Sequence, residues 1–337
     1  MKALKLIGVL AILLVIIIAG GVAAFVALSD PNDFKEQIAA RVLAETGRTL
    51  TLEGELEWAF WPKVKLKAGP LALNNAPGFG NEPFFAAQEL QIAVATLPLL
   101  KNQIEMDTAK LYGVRINLAA NADGITNWAD LIGDTEDQKS SGDIAAIALG
   151  GVDIQDATIT WRDVASGQNF DINKLNISTG ALTFGDPIAF EMSLGAVANQ
   201  PAIDSDVSLA GTVSYDLGDE KYHVEPLNLE MVIRSKNVPG GTATLKTSAI
   251  VDVDLDKGIV RISQLALSGL GTELSGDIEA IDIESEASGA RGALAFKGND
   301  LALIFNALEL PVAEKISKLK QRGFNFTTEF DANMQSG

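Results

Sequence analysis

The spacing of hydrophobic positions changes twice along the chain, and each change predicts a different element. From Leu6 to Leu28, 23 residues run without a charge. As a helix rising about 1.5 Å per residue they cover about 34 Å, enough to cross a bilayer. Phe34, Ile38 and Val42 then recur every four residues, entered through Asp30-Pro31-Asn32-Asp33 and followed by Gly47. That spacing and those caps predict a short amphipathic helix. From Leu50 onward the period becomes two. Leu50, Leu52, Leu56 and Trp58 share one parity against Thr51, Glu53, Glu55 and Glu57, and Val64 and Leu66 alternate with Lys63, Lys65 and Lys67. Similar short runs follow, among them Leu90-Ile92-Val94, Val114-Ile116-Leu118, Ile154 to Trp161, Val207 to Tyr215, Leu245 to Leu255 and Leu274 to Ile281. Turn residues separate them, and the total is about fifteen strands. The fold class is mainly β, with apolar faces that a second sheet or a ligand with hydrocarbon chains must cover.

Charges around the first segment give it a direction. Lys2 and Lys5 precede it and Asp30 and Asp33 follow it, so the positive-inside bias places the N-terminus in the cytoplasm and the bulk of the chain on the other side. A cleaved signal peptide is the competing reading, but its apolar core is usually about 7 to 15 residues. The expected organisation is a cytoplasmic tip (1–5), a membrane anchor (6–28), a first β region (30–132), a linker or long loop (133–149) and a further β region (150–337). Asp300 to Leu308 and Val312 to Leu319 interrupt the last region with helical spacing. The strand-like Phe324 to Phe330 lies so near the last residue that the sheet is expected to be cut short.

Composition narrows the chemistry. The chain has 26 Lys+Arg against 44 Asp+Glu, one His and no Cys, a net charge of −18. This argues against a nucleic-acid partner, because phosphate contacts come mainly from Lys and Arg. Without Cys and with a single His, thiol nucleophiles, zinc–thiolate sites and most catalytic bases are absent. No Gly-x-Ser-x-Gly elbow or phosphate-binding glycine loop occurs. Asp252 to Gly258 has an acidic rhythm, but its glycine is misplaced for a calcium loop and position twelve is Ser263. His223, beside Tyr222, reads as a surface residue. No catalytic residue, metal or cofactor is expected.

The remaining candidates concern lipid. An apolar face beside a membrane holds acyl chains by excluding water alone. Its mouth is expected to be lined by Phe34, Ile38, Val42, Leu50, Leu52, Leu56, Trp58, Val64 and Leu66, unless these close an ordinary core. Lys63, Lys65 and Lys67 face the other way and could meet anionic headgroups or only water. Arg48 could do the same, or serve the helix C-terminus and a local carboxylate.

The N-terminal third also resembles a known family. Thr46-Gly47-Arg48, Gly54, Pro62, Gly69, the run Leu71 to Gly80, Leu97-Pro98-Leu99-Leu100 and Asp123-Gly124-Ile125-Thr126-Asn127-Trp128 are similar to the spaced elements of the AsmA family of Gram-negative envelope proteins. A weaker likeness runs through Gly151 to Arg162 and Lys297 to Asp300. The resemblance implies a single-pass inner-membrane protein whose periplasmic, elongated, twisted antiparallel sheet curves into an apolar groove, like the chorein-type bridge proteins. It implies membrane phospholipids as partners, other envelope proteins beside them, and a non-enzymatic part in phospholipid transport and outer-membrane biogenesis. The alternative it leaves open is an envelope scaffold or outer-membrane protein assembly factor with a sealed β core.

Overall fold

A computed structural model of the chain describes residues 30–59, 64–94, 105–131, 148–183, 185–199, 202–216, 218, 220–236, 238–281, 288–299 and 323–333. The anchor expected at 6–28, the helical spacing at 300–319, Lys63 and most of the 133–149 linker fall outside these residues. Among the described residues no helix is long and apolar enough to cross a membrane.

The predicted amphipathic helix is present. A 3-10 turn (Pro31–Phe34) leads into α1 (Lys35–Thr46). The Asp30 carboxylate accepts the Asn32 amide at 2.9 Å, and Gly47, at φ 67°, takes the left-handed position that ends the helix. Asn32 fixes the start of the helix to the sheet, accepting the Leu56 amide at 2.9 Å and donating to the Leu56 carbonyl at 3.2 Å.

The twenty strands among the described residues belong to one sheet. The first are short: β1 (Leu50–Leu52), β2 (Glu57–Ala59), β3 (Val64–Ala68), β4 (Leu71–Leu73), β5 (Phe85–Ala87), β6 (Glu89–Val94), β7 (Glu105–Met106), β8 (Ala109–Tyr112), β9 (Arg115–Ala120) and β10 (Ala148–Leu149). The later ones are long: β11 (Val152–Asp163), β12 (Asn169–Thr179), β13 (Ile188–Asn199), β14 (Ala202–Asp216), β15 (Lys221–Arg234), β16 (Thr242–Asp254), β17 (Ile259–Gly269), β18 (Thr272–Ile281), β19 (Gly289–Gly298) and β20 (Phe324–Asn333). From β11 to β20 each strand pairs antiparallel with the next.

Two features depart from the sequence reading. The sheet is not wholly antiparallel: β11 pairs parallel with both β8 and β9, and β10 with β7. A parallel neighbour needs a connection of a dozen or more residues, and 27 residues separate β9 from β10 in the sequence. The two β regions are therefore joined by strand pairing within one sheet. The alternation from Leu50 to Trp58, read as one strand, is also interrupted between β1 and β2. There a Cβ on Gly54 would sit 1.0 Å from the Gly69 carbonyl oxygen, so the backbones touch where only glycine fits.

That break begins a line of irregularities. It passes between β3 and β4, between β5 and β6 and between β8 and β9, then through Asp156 (φ 53°) in β11 and Lys174 (φ 49°) in β12. A second line, offset along the strands, runs through register shifts between β14 and β15, β15 and β16, β16 and β17, and β17 and β18. Bulges bend strands and add twist, and the sheet is open and curled.

Candidate functional site

The register places apolar side chains in rows across the strands. One row reads Leu90, Leu111, Ile154, Ile177, Met192, Leu209, Leu229, Thr247, Leu267, Leu274, Phe296 and Phe326, each directly opposite the next. It crosses twelve strands with one polar member, Thr247, and at about 4.8 Å per step extends about 53 Å. Leu194, Val207, Met231 and Leu245 form a parallel row beside it. Ile188, Val213, Val224, Val251, Ile262 and Ile278 form another beyond the second line of bulges. A bulge shifts strand parity by one, so Leu229 and Val224 share a face although their numbers differ in parity.

This face is sheltered but not sealed. Every member of the twelve-strand row is half-buried except Phe326, which is 45% exposed and stacks on Phe296 at 4.9 Å. Small residues reveal which side is enclosed. Ala157, Ala196, Ala249 and Ser205 on the apolar face are buried, whereas Ser178, Ser208, Ala266 and Ser268 on the polar face are exposed. Among the described residues no second sheet covers the apolar face. The best-buried cluster lies toward the N-terminal end, where Leu56, Leu71, Ala87, Val114, Ala157 and Leu175 meet.

A cavity of about 1040 Å³ along β11 to β18 lies on the opposite face. Each of β11 to β18 contributes one residue of the twelve-strand row and its two neighbours, and never the next apolar residue, such as Leu194 or Met231. Since neighbours along a strand point to the other side, polar side chains such as Ser193, Ser208, Glu230 and Lys246 wall this trough. A twisted sheet is saddle-shaped, so each face can be hollow along one direction.

The residues singled out in the sequence separate into three groups. Phe34, Ile38 and Trp58 are 49%, 39% and 38% exposed, while Val42, Leu50, Leu52 and Leu66 are half-buried, the last three packed on the core cluster. Leu56 is fully inside that cluster at 5% and forms no mouth. The side chain of Val64 lies outside the described residues. Lys65 is exposed, and Lys67 pairs with Glu89 at 2.8 Å, which raises the ammonium pKa and lowers that of the carboxyl.

For Arg48, of the two readings the sequence left open, the structure shows the carboxylate partner. This arginine is 3% exposed, and its guanidinium donates to both carboxylate oxygens of Asp130 and, at 2.6 Å, to the Asn127 carbonyl, while lying 4.8 Å from the Phe84 ring centre. The hydrogen bonds from Arg48 hold the Asp130 carboxyl below its usual range. Asn127, fully buried, donates to Asn75 at 2.8 Å and to the Asn117 carbonyl at 2.7 Å, and accepts from the Ala119 amide. Arg48, Asn75 and Asn127, spread along the sequence, thus form one buried network at the end of the sheet. Such groups are stable away from water only when paired.

The polar face holds a row that sequence reading missed. His223, Asp252, Arg261, Glu279, Arg291 and Asp331 lie opposite one another in that order. His223 Nδ1 meets Asp252 at 2.7 Å, and Glu279 bonds both Arg261 and Arg291. Asp252 first, then Glu225, raise the His223 pKa. Charges alternate across six strands, an arrangement of cross-strand pairs that supports the sheet. Among the described residues no group of three or more His, Cys, Asp or Glu could hold a metal ion.

The chain is 31% identical over 175 residues to Protein AsmA of Escherichia coli (strain K12), a match covering 52% of this chain and 25% of that protein. The matched part is thus about a quarter of that relative's length. The sequence profile of the AsmA family matches residues 1–321. With a profile that matches nearly its whole length and this relative beside it, the chain belongs to the AsmA family.

Proposed function

We propose that the protein binds phospholipid acyl chains on its apolar face and lets them move along it, as a non-enzymatic contributor to lipid transport in the bacterial envelope. The observation that carries this reading is the twelve-strand row. Large apolar side chains stand in register for about 53 Å, half-covered and without a second layer among the described residues. Exposed hydrocarbon of this extent marks a surface that meets apolar matter. Each methylene moved from water onto such a face contributes about 0.8 kcal/mol. No chemical step is needed, and headgroups can stay at the open rim.

The apolar segment 6–28 supplies the bilayer in this reading, anchoring the chain in the inner membrane with residues 30–337 in the periplasm. Lys65, on the outer face of β3, offers positive charge to anionic headgroups near that end. Envelope proteins are further partners in the same reading. The test is mass spectrometry of organic extracts of the full chain purified in detergent, alongside a Leu209→Asp, Met231→Asp double variant. Phospholipid should accompany the wild type through purification and be lost from a variant whose circular dichroism is unchanged. A wild-type protein free of lipid after incubation with liposomes refutes the reading.

A further inference from the structure

We infer that one flank of α1, formed by Phe34 and Ile38 together with the ring of Trp58 on β2, lies in the interfacial layer of the bilayer from which residues 6–28 emerge. The inference rests on the membrane anchoring proposed above and adds a contact surface outside the apolar groove.

Of nine exposed large apolar side chains among the described residues, four lie between residues 34 and 58: Phe34, Ile38, Leu43 and Trp58. The half-buried positions of α1 are Lys35, Ala39, Val42 and Thr46, the spacing of one helical face turned to the sheet. At about 100° per residue, Phe34 and Ile38 fall together on one side of that face and Leu43 on the other. Asn32 ties the beginning of the helix to Leu56, two residues from Trp58. The start of α1, with Phe34 and Ile38, is thus tied beside the strand that carries Trp58, at the end of the sheet where the chain enters.

Chain length selects the occupant. Leu28 and Phe34 are six residues apart, a reach of at most about 20 Å even fully extended, and the 3-10 turn at Pro31–Phe34 shortens it. The helix must lie beside the membrane surface if 6–28 spans it. Aromatic rings favour the headgroup layer, and an apolar helix flank gains by entering it. On the same side Arg41 pairs with Glu45 at 2.7 Å, so its charge enters the interface with a counter-ion.

The chain contains no cysteine, which permits clean single-site labelling. The full chain is reconstituted in phosphatidylcholine–phosphatidylglycerol vesicles as Ile38→Cys, Met231→Cys or Val164→Cys, each carrying an environment-sensitive fluorophore. Val164, in the turn after β11, is 68% exposed and serves as the water-facing control. Lipids with a spin label near the headgroup end of the acyl chain are then introduced. The label at 38, seated in the interface, should lose clearly more of its emission than the labels at 231 or 164. A loss at 38 no greater than at Met231→Cys or Val164→Cys overturns the inference, since groove-bound lipid or water then accounts for it. Flotation of the same samples separates the two failures: protein released from vesicles by alkaline carbonate refutes the anchoring, and protein that stays but is not quenched at 38 refutes only the docked helix.

Discussion

The Arg48–Asp130 pair offers an asymmetric test of what holds α1 to the sheet. The Arg48 side chain is 2% exposed and that of Asp130 44%. Removing Asp130 strands a buried cation. Asp130→Ala leaves the guanidinium with the Asn127 carbonyl, the Phe84 ring and a buried Nη1 already without a hydrogen-bond partner. Breaking a buried pair from one side costs about 3–5 kcal/mol. Removing Arg48 instead leaves a carboxylate that water reaches, so Arg48→Met loses one charged hydrogen bond to Asn127 and some packing, about 2 kcal/mol. The more exposed residue should therefore be the more costly one to truncate. The double variant should be more stable than Asp130→Ala alone, because it removes the stranded charge. Urea unfolding of the full chain in detergent, followed through tryptophan emission, reads this directly: Trp128, two residues before Asp130, lies 5.5 Å from Trp161. If Asp130→Ala costs less than about 0.5 kcal/mol, the pair behaves like a surface salt bridge and the reasoning fails. A double variant less stable than either single one would contradict the stranded-charge argument.

Other consequences follow from the same geometry. Partners in the charge row raise the His223 pKa above its ordinary 6.5, so the folded state holds the proton more tightly than the unfolded chain. Its stabilisation is complete below about 6.5 and is lost as pH rises through the higher folded value. His223→Gln should flatten that part of a plot of unfolding midpoint against pH, and an unchanged slope would exclude His223 as its source. Gly54→Ala drives a Cβ into the Gly69 carbonyl, and a loss of more than about 4 kcal/mol or failure to accumulate is expected; near-normal thermal stability would contradict the close backbone approach. Lys67→Gln, by contrast, breaks an ion pair whose lysine side chain is 46% exposed and should leave the thermal midpoint nearly unchanged.

How much of this was legible in the sequence depended on distance along the chain. The helix at 35–46 was readable because its caps and its four-residue spacing are local. The alternation of Val64, Leu66 and the lysines was equally local and gave a strand. β12 and β19 were harder: Lys174 sits at a bulge in β12, and Gly289, Gly292 and Gly298 dilute the alternation of β19. Which residues face each other could not be read at all. The row from Leu90 to Phe326 emerges only after register and bulges are known, because each bulge reverses parity within a strand. Of the candidates, Leu50, Leu52, Leu56 and Leu66 thus mark only the N-terminal end of a much longer apolar face. Arg48 was recognisable in Thr46-Gly47-Arg48, but its partners lie 79 and 82 positions away. His223 reads in the sequence only as a surface residue, because its opposition to Asp252 needs the pairing of β15 with β16.

The most direct test of the central claim compares the two faces of one strand. A photoreactive amino acid is placed in the full chain at Leu209 or Met231 on the apolar face, and at Ser208 or Glu230 on the polar face. Each variant is reconstituted with radiolabelled phospholipid and irradiated. The account predicts lipid adducts at 209 and 231 and only background at 208 and 230. Equal labelling of both faces, or adducts confined to the polar trough, would contradict it.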